Sequence, residues 1–184
     1  MRKTAVVLSI LLPLVTSACL PVVLETPVPG GCPPLPETFQ ESHLIGTWQA
    51  EYGASTDTLI LREDGTYKQI FARHTDDYRY ESAWNRWWLE HRASGGLYLH
   101  LDKMRRCDQW EELCYKEGGG GGDWVYWDFC EDRGVRMPDE VVLIVLGVSK
   151  DEEKWYGPVP RGIWLWHMVA DPDSGSFHFT LQEE

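Results

Sequence analysis

The chain has 184 residues, 43% of them hydrophobic and ten of them tryptophan, which is enough apolar sequence to fold around one core. Its formal net charge at pH 7 is −12. An acidic surface repels phosphate backbones and anionic lipid headgroups, so nucleic acid is not an expected partner, and any membrane attachment must come from something other than a basic patch.

The N-terminus has the pattern of an export signal. Arg2 and Lys3 precede a short apolar run over residues 5–15, and small residues then lead to Cys19. This order is typical of a signal peptide, and the run is shorter than the ~20 apolar residues that a membrane span needs. The small residues before Cys19 resemble a bacterial lipobox, which implies that Cys19 carries an acyl lipid such as palmitate. The alternative is an ordinary secretory signal cut near Ala18.

Three segments are therefore predicted: a signal peptide at 1–18, a Pro-rich tether at 19–42 and a folded domain at 43–184. Proline-rich sequence without apolar periodicity forms an extended, semi-rigid spacer. On this interpretation the protein is exported and is held at the bacterial cell envelope through its N-terminal lipid.

The number of cysteines agrees with a lipid on Cys19. The chain has five, and an odd number in an exported protein leaves one without a partner. Lipidation of Cys19 leaves four, which can form two disulfides. The spacing of Cys107, Cys114 and Cys130 lacks the close pairs of a structural zinc site, so a metal is the less favoured interpretation.

The folded domain begins with alternating segments joined by a tight turn. A strand is predicted from residue 46 to about 52, a second over 58–62 and a third over 66–73. Asp64-Gly65 supplies the positive φ of a hairpin turn between the second and third. Further strands are predicted over 78–91 with a break near Asn85, and over 97–102, 124–129, 141–148, 163–169 and 176–181.

Two of these later segments carry a burial prediction. Residues 97–102 alternate, which places three leucines inward, whereas 141–148 is apolar throughout and is expected to be covered on both faces. Residues 150–154 are predicted as a solvated charged turn, and no segment shows a helical period. These features together predict an all-β protein, an antiparallel up-and-down barrel of about eight strands.

One pair of motifs resembles a known family. Gly46-Thr47-Trp48 on the first strand, followed by the Asp64-Gly65-Thr66-Tyr67 hairpin, is similar to the start of the lipocalin-like (calycin-type) barrels. The resemblance implies that Gly46 and Trp48 are structural, with the indole plugging the closed end of the barrel. It also implies binding of a small apolar or amphipathic ligand. The family has a late arginine, which the sequence does not place.

The strand order suggests how the cysteines pair. If residues 97–103 and 124–129 form a hairpin, Cys107 and Cys130 lie at its opposite ends and cannot bond. The predicted disulfides are then Cys107–Cys114 and Cys32–Cys130.

The long segment over residues 103–123 has no strand pattern and contains five consecutive glycines. It is either a surface loop pinned by disulfides or a mobile lid over a ligand site. As a lid it would use Trp110 as its ligand contact.

Metal and catalytic motifs are weak. Of six histidines, His167 and His178 are the best pair, but their strand patterns predict that they face opposite sides. Residues 171–175 resemble a fragment of a calcium loop but lack its later ligands, so a turn is favoured. There is no Gly-x-Ser-x-Gly or His-Glu-x-x-His motif. We expect no catalytic residue, no metal and no cofactor.

Two hypotheses of function follow. In the first, the barrel binds a small hydrophobic ligand inside. In the second, a tethered module without catalytic activity contacts another envelope protein or a glycan through an aromatic surface. An open apolar interior favours the first, and a filled barrel with exposed aromatic residues favours the second.

Overall fold

The structure is a computed structural model that describes residues 32–93, 95–105, 107–108, 113–114, 125–128, 130, 133–136, 140–167 and 178–183. The predicted signal peptide, Cys19 and Trp110 lie outside these residues. The described strands are β1 Gly46–Tyr52, β2 Ser55–Leu61, β3 Thr66–Arg73, β4 Arg79–Glu81, β5 Asn85–His91, β6 Leu97–Asp102, β7 Cys107–Asp108, β8 Leu113–Cys114, β9 Val125–Asp128, β10 Arg133–Arg136, β11 Glu140–Gly147, β12 Ile163–His167 and β13 His178–Gln182. They are accompanied by helix α1 Lys150–Tyr156 and by 3₁₀ turns at Glu41–Leu44 and Pro160–Gly162.

Eight of the strands form a closed barrel. Their order is β2-β1-β13-β12-β11-β6-β5-β3, and pairing of β2 with β3 completes the ring. Neighbouring strands are antiparallel, and β4 adds a short ninth strand beside β3. The all-β, up-and-down barrel is confirmed, as is the break before Asn85.

The inner face of the barrel is one hydrophobic core. The predicted inward leucines of β6 belong to it, and the other large buried side chains include Trp48, Leu59, Tyr67, Phe71, Leu143, Leu165 and Phe179. Each such side chain contributes about 1.5–3 kcal/mol when fully buried. Closure of the barrel turns one face of every strand toward the same core. The apolar side chains that alternate along each strand are therefore buried together and stabilise the fold.

Strand β11 is covered on both faces, as its continuous apolar sequence predicts. Its inner residues join the barrel core, whereas Val142, Ile144 and Leu146 form a second cluster outside with Tyr98, Trp166 and Cys130. The buried carboxylate of Asp128 on β9 lies beside this cluster. It accepts hydrogen bonds from the Tyr98 hydroxyl at 3.0 Å and from Arg92 Nη1 at 2.8 Å. The β9–β10 hairpin is therefore fastened to the outside of the barrel.

The predicted hairpin between residues 97–103 and 124–129 is wrong. β6 pairs with β5 and β11, whereas β9 pairs with β10. Strand β10 was not predicted, nor were the two-residue strands β7 and β8 inside the predicted loop. Local alternation identifies a strand but not its partner. For β9, pairing with β10, which begins five residues later, costs less loop-closure entropy than pairing with β6 across residues 103–124.

The described part of the Pro-rich tether, residues 32–40, packs on the barrel. Cys32 forms a disulfide with Cys130, which confirms that predicted pair. A Cβ at Gly147 would lie 1.9 Å from the Pro34 carbonyl oxygen, so the tether crosses β11 where only glycine leaves room for it. Leu35 contributes a partly buried side chain to the barrel core.

Residues 150–154 begin helix α1 and are not the predicted turn. Ser149 Oγ accepts from the Glu152 amide at 3.2 Å, and the Glu152 carboxylate accepts from the Ser149 amide at 2.7 Å. This capping box supplies acceptors to two backbone N–H groups that would have no hydrogen-bond partner at the start of a helix. Gly157, at φ 84°, ends the helix. The helix buries no residue, so its sequence carries no apolar stripe for a periodicity analysis to find.

Candidate functional site

The end of the barrel where β1 begins, the entry end, is closed by packing and hydrogen bonds. Trp48 is fully buried, and its Nε1 donates to the Leu44 carbonyl at 2.7 Å. Gly46 has φ 145°, and a Cβ there would meet Leu181 at 2.8 Å. Arg161 Nη1 donates to the carbonyl of Ile45 at 3.0 Å and also to that of His43. These contacts pack the described residues closely at this end.

The opposite end, the far end, is entered by the start of the long segment after β6. Met104 is buried in the barrel core. The fully buried Gln69 accepts from the Arg105 amide at 3.0 Å and donates to the Arg105 carbonyl at 3.0 Å. This side chain therefore holds the segment to β3 as a neighbouring strand would.

An acidic group lies beside this contact. Asp57 is 2% exposed and accepts from Gln69 Nε2 at 3.0 and 3.2 Å. Burial raises the pKa of Asp57 to about 8, although the bonds from Gln69 and from the Thr58 backbone oppose that rise. The same carboxyl raises the pKa of Tyr52, second to the effect of burial. Among the described residues, the interior is therefore a packed apolar core with a polar end.

A groove lies on the outer side of the molecule, between α1 and the β12–β13 pair. Its volume is about 360 Å³, and it is lined by Tyr156, Pro158, Val159, Pro160, Trp164, His178, Thr180 and Leu181. Strand alternation places Trp164 and His178 outside, since their neighbours Leu165 and Phe179 belong to the barrel core. The short helix supplies the opposite wall through Tyr156.

The three rings of the groove form a corner. Trp164 and His178 are stacked, with ring centroids 4.3 Å apart and planes 24° apart. Tyr156 stands nearly perpendicular to both, at 87° to Trp164 and 77° to His178. Tyr156 is 56% exposed, so its ring is open to a ligand, whereas Trp164 is 4% exposed.

Two of the side chains that line the groove have a buried ring nitrogen with no hydrogen-bond partner within the part of the chain that the structure describes: Trp164 Nε1 and His178 Nδ1. Burial lowers the pKa of His178 from its ordinary 6.5, so its imidazole is neutral at pH 7. A buried donor without a partner costs about 1–3 kcal/mol. The folded protein therefore bears this cost at the indole N–H of Trp164.

The surroundings of the groove are aromatic and acidic. Trp155, next to Tyr156 but outside the groove lining, is 86% exposed. The first turn of α1 carries Asp151, Glu152 and Glu153, and the ammonium of Lys154 is bonded to Asp151 at 2.5 Å. The groove is thus lined at the end of a helix whose first turn is acidic.

The sequence-predicted site residues do not meet in one place. Gly46 and Trp48 lie at the entry end, whereas Cys107 lies at the far end, where it is disulfide-bonded and has Cys114 as its Cα partner across β7–β8. The Cys107–Cys114 bond stays a prediction, as do the lipid on Cys19 and the ligand contact of Trp110.

The histidine prediction is confirmed. His178 is Cα partner to Trp166 on the outer side, whereas His167 follows on the inner face of β12 with Leu165. The described residues contain no group of three metal-ligating side chains, and the calcium-like segment 171–175 lies outside them.

Sequence reasoning missed the groove because it missed α1. The pattern Ser149-x-x-Glu152 is a capping box and would have indicated a helix start just before Tyr156. The alternation of β12 does predict an outward Trp164. What no local pattern gives is the meeting of the helix with the outer side of that strand.

Comparison of the chain with protein-family models, with curated proteins and with solved structures finds no match. No helix in the described ranges combines the length and apolar character needed to cross a membrane.

Proposed function

We propose that this protein is an exported, lipid-anchored envelope protein that binds a small amphipathic ligand in the groove between α1 and the β12–β13 pair. The barrel serves as the rigid support, and the protein performs no catalysis. One observation carries the proposal: a groove of about 360 Å³ is walled by the rings of Tyr156, Trp164 and His178, and the Tyr156 side chain is 56% exposed.

The packing of the barrel supports this location over the barrel interior. The inner face of the described strands is filled by large side chains such as Trp48, Tyr67 and Phe71. The groove volume falls within the range of ~300–1,000 Å³ typical of small-molecule sites. Aromatic walls with a few polar edges suit a molecule that has both an apolar face and hydrogen-bonding groups.

The proposal is tested by binding to the full chain carrying Cys19→Ser, which keeps the protein free of detergent. The probes are the dye 1-anilinonaphthalene-8-sulfonate, sodium palmitate and a set of neutral sugars. We expect saturable one-to-one binding of at least one probe, and Tyr156→Ala should weaken it at least about tenfold because it removes one wall.

The matched control is Trp155→Ala, which removes the neighbouring exposed indole but no groove-lining residue. It should leave the affinity within about twofold, and both variants should unfold within about 0.5 kcal/mol of the parent because the two side chains are exposed. Binding that survives Tyr156→Ala unchanged would place the ligand elsewhere and refute the proposal.

A second candidate function rests on Trp155 itself. An indole that is 86% exposed on a helix with no buried residue is typical of a contact surface. In that case the partner is an envelope protein, and Trp155→Ala abolishes the contact while small-ligand binding in the groove persists.

A further inference from the structure

We propose that the far end of the barrel contains a pH-sensitive latch: the buried Asp57–Gln69 pair holds residues 103–105 while Asp57 is protonated and releases them when it ionises. Residues 103–105, the latch segment, are the start of the long segment after β6. The latch is a conformational device of the barrel itself and does not involve the groove.

The latch segment is held in a conformation that it does not favour by itself. Lys103 has φ 58°, in the left-handed region that side chains with a Cβ disfavour. The next residue, Met104, is 5% exposed in the barrel core, and its amide donates to the Leu101 carbonyl at 3.3 Å. Gln69 then accepts from the Arg105 amide and donates to the Arg105 carbonyl, both at 3.0 Å. A strained turn persists only where its contacts outweigh the strain, so loss of the Gln69 bonds favours release of the segment.

The side-chain amide of Gln69 has more acceptors than it has hydrogens. It carries two N–H bonds. Its Nε2 lies 3.0 Å from the Arg105 carbonyl oxygen, 3.0 and 3.2 Å from the carboxyl oxygens of Asp57, and 3.3 Å from Cys107 Sγ. With a neutral carboxyl, one N–H serves Asp57 and the other serves Arg105. A carboxylate accepts stronger, charge-assisted hydrogen bonds, so an ionised Asp57 competes for both. When Gln69 turns to it, Arg105 loses a donor and an acceptor together.

The charge on Asp57 would depend on this amide. The side chain is 2% exposed, and no described cation pairs with it, so its donors are Gln69 and the Thr58 backbone. Tyr52 faces it from β1 and Tyr67 from β3, and burial raises the pKa of both phenols, which therefore stay neutral up to pH 9. Burial also raises the pKa of Asp57 to about 8. The latch therefore releases across the pH range around this value.

The nearby cations are engaged elsewhere. The Arg105 guanidinium lies over the ring of Tyr80 on β4, 4.0 Å from its centroid, in a cation–π contact. Arg73, at the end of β3, is bonded to Asp76 at 2.8 Å. Release of the latch segment therefore breaks no ion pair with Asp57. If the Arg105 guanidinium instead moved to the ionised carboxylate, the segment would be held more tightly at high pH.

The test is backbone hydrogen exchange of the full chain carrying Cys19→Ser from pH 6 to pH 9, expressed as protection relative to the intrinsic rate at each pH. The reporter is the Arg105 amide, which donates to Gln69. The reference is the Leu165 amide on β12, a strand that is paired on both sides and reports global unfolding. From pH 6 to pH 9 the protection of Arg105 should fall at least about tenfold more than that of Leu165, because ionisation releases the segment locally.

Two variants separate Asp57 from other titrating groups. Asp57→Asn cannot ionise, and its amide oxygen can still accept from Gln69. The ratio of the Arg105 and Leu165 protections should then stay constant within about twofold across the pH range. Asp77→Asn, which changes an exposed loop carboxylate, is the matched control and should reproduce the parent.

Three results would overturn the latch. Protections of Arg105 and Leu165 that fall in parallel in the parent would mean that Asp57 ionises only on global unfolding. Protection of Arg105 that rises with pH would mean that its guanidinium has moved to the carboxylate. A local loss at Arg105 that persists in Asp57→Asn would assign it to another group.

If Asp57→Asn does not fold, oxidation of Met104 in the parent tests the latch without a variant. Hydrogen peroxide converts an accessible thioether to the sulfoxide, and Met104 is 5% exposed while the segment is held. Measured by mass spectrometry and normalised to free N-acetylmethionine, its oxidation rate should rise at least about tenfold from pH 6 to pH 9. This increase should exceed the loss of protection at Leu165. An unchanged rate, or one that follows Leu165, overturns the proposal.

Discussion

At the scale of single residues, the fold opposes the ionisation of Asp57. It is 2% exposed, and burial raises its pKa from 3.8 to about 8. Between these two values the folded protein keeps a proton that the unfolded chain releases. The free energy of unfolding therefore falls as the pH rises across this window, by about 1.4 kcal/mol per pH unit. The contribution of Asp57 is most favourable near pH 4 and is lost by about pH 8.

We expect Asp57→Asn to remove this dependence, since an amide does not ionise and its oxygen can still accept from Gln69. Denaturant unfolding from about pH 5 to about pH 8 should show the variant gaining stability over the parent as the pH rises, by roughly 3–4 kcal/mol in total. The comparison cancels the opposite contribution of His178, whose pKa is lowered by burial.

The control for this measurement is Asp77→Asn, which changes an exposed loop carboxylate. It should reproduce the pH dependence of the parent. A parallel pair of curves for Asp57→Asn and the parent would show that Asp57 ionises normally in the folded protein.

At the scale of elements, the sequence predicts strands better than it predicts their partners. The apolar run 141–148 correctly predicted burial on both faces of β11, and the alternation of residues 97–102 correctly predicted the inward leucines of β6. The alternation did not predict that the outward Tyr98 and His100 are buried as well. No pattern in the residue order predicted the β9–β10 hairpin or the packing of the tether on the barrel. They depend on contacts such as Asp128 with Arg92 and Pro34 with Gly147, which join residues distant in sequence.

The candidate site was also only partly predictable, because local sequence patterns do not specify which elements pack together. An outward Trp164 and an outward His178 follow from strand alternation, and the structure brings them into contact. The third ring, Tyr156, belongs to a helix that buries no residue, so its only sequence signal is the capping box at Ser149. A groove formed by two elements requires their tertiary packing, which no local pattern specifies.

The disulfides provide an element-scale prediction. Cys32–Cys130 closes a loop of 98 residues, whereas Cys107 and Cys114 are close in sequence. In the chain-entropy account, loops of these sizes contribute about 4.7 and about 2.4 kcal/mol. Replacing Cys32 and Cys130 together by Ser should therefore destabilise the protein more than replacing Cys107 and Cys114 together.

Denaturant unfolding of the two double variants measures the difference, and peptide mapping without reduction checks the pairing. The mapping should recover Cys107 with Cys114. A peptide that joins Cys107 to Cys130 would contradict the disulfide seen between Cys32 and Cys130 as well as the prediction.

At the scale of the whole molecule, the fold places the groove beside the tether. A Cβ at Gly162 would lie 3.3 Å from Pro36, so the tether passes the turn that follows the proline wall of the groove. Residues 20–31 separate Cys19 from Cys32. Extended chain spans at most about 3.6 Å per residue, so the 13 steps from Cys19 to Cys32 reach at most about 47 Å. A lipid on Cys19 would therefore keep Cys32 within about 47 Å of the bilayer surface.

The last prediction concerns this anchor. In the native host, Cys19→Ser should move the protein from the membrane fraction to the soluble fraction, because anionic lipids repel a chain of net charge −12. Mass spectrometry of the parent should find a mature N-terminus at Cys19 with the added mass of acyl chains. Groove binding should be equal in the two forms, since Cys32 and residues 33–40 stay docked on the barrel in both. A parent protein whose N-terminus lies at another residue and carries no acyl mass would end the anchor hypothesis, while groove binding in the Cys19→Ser form would still test the ligand site by itself.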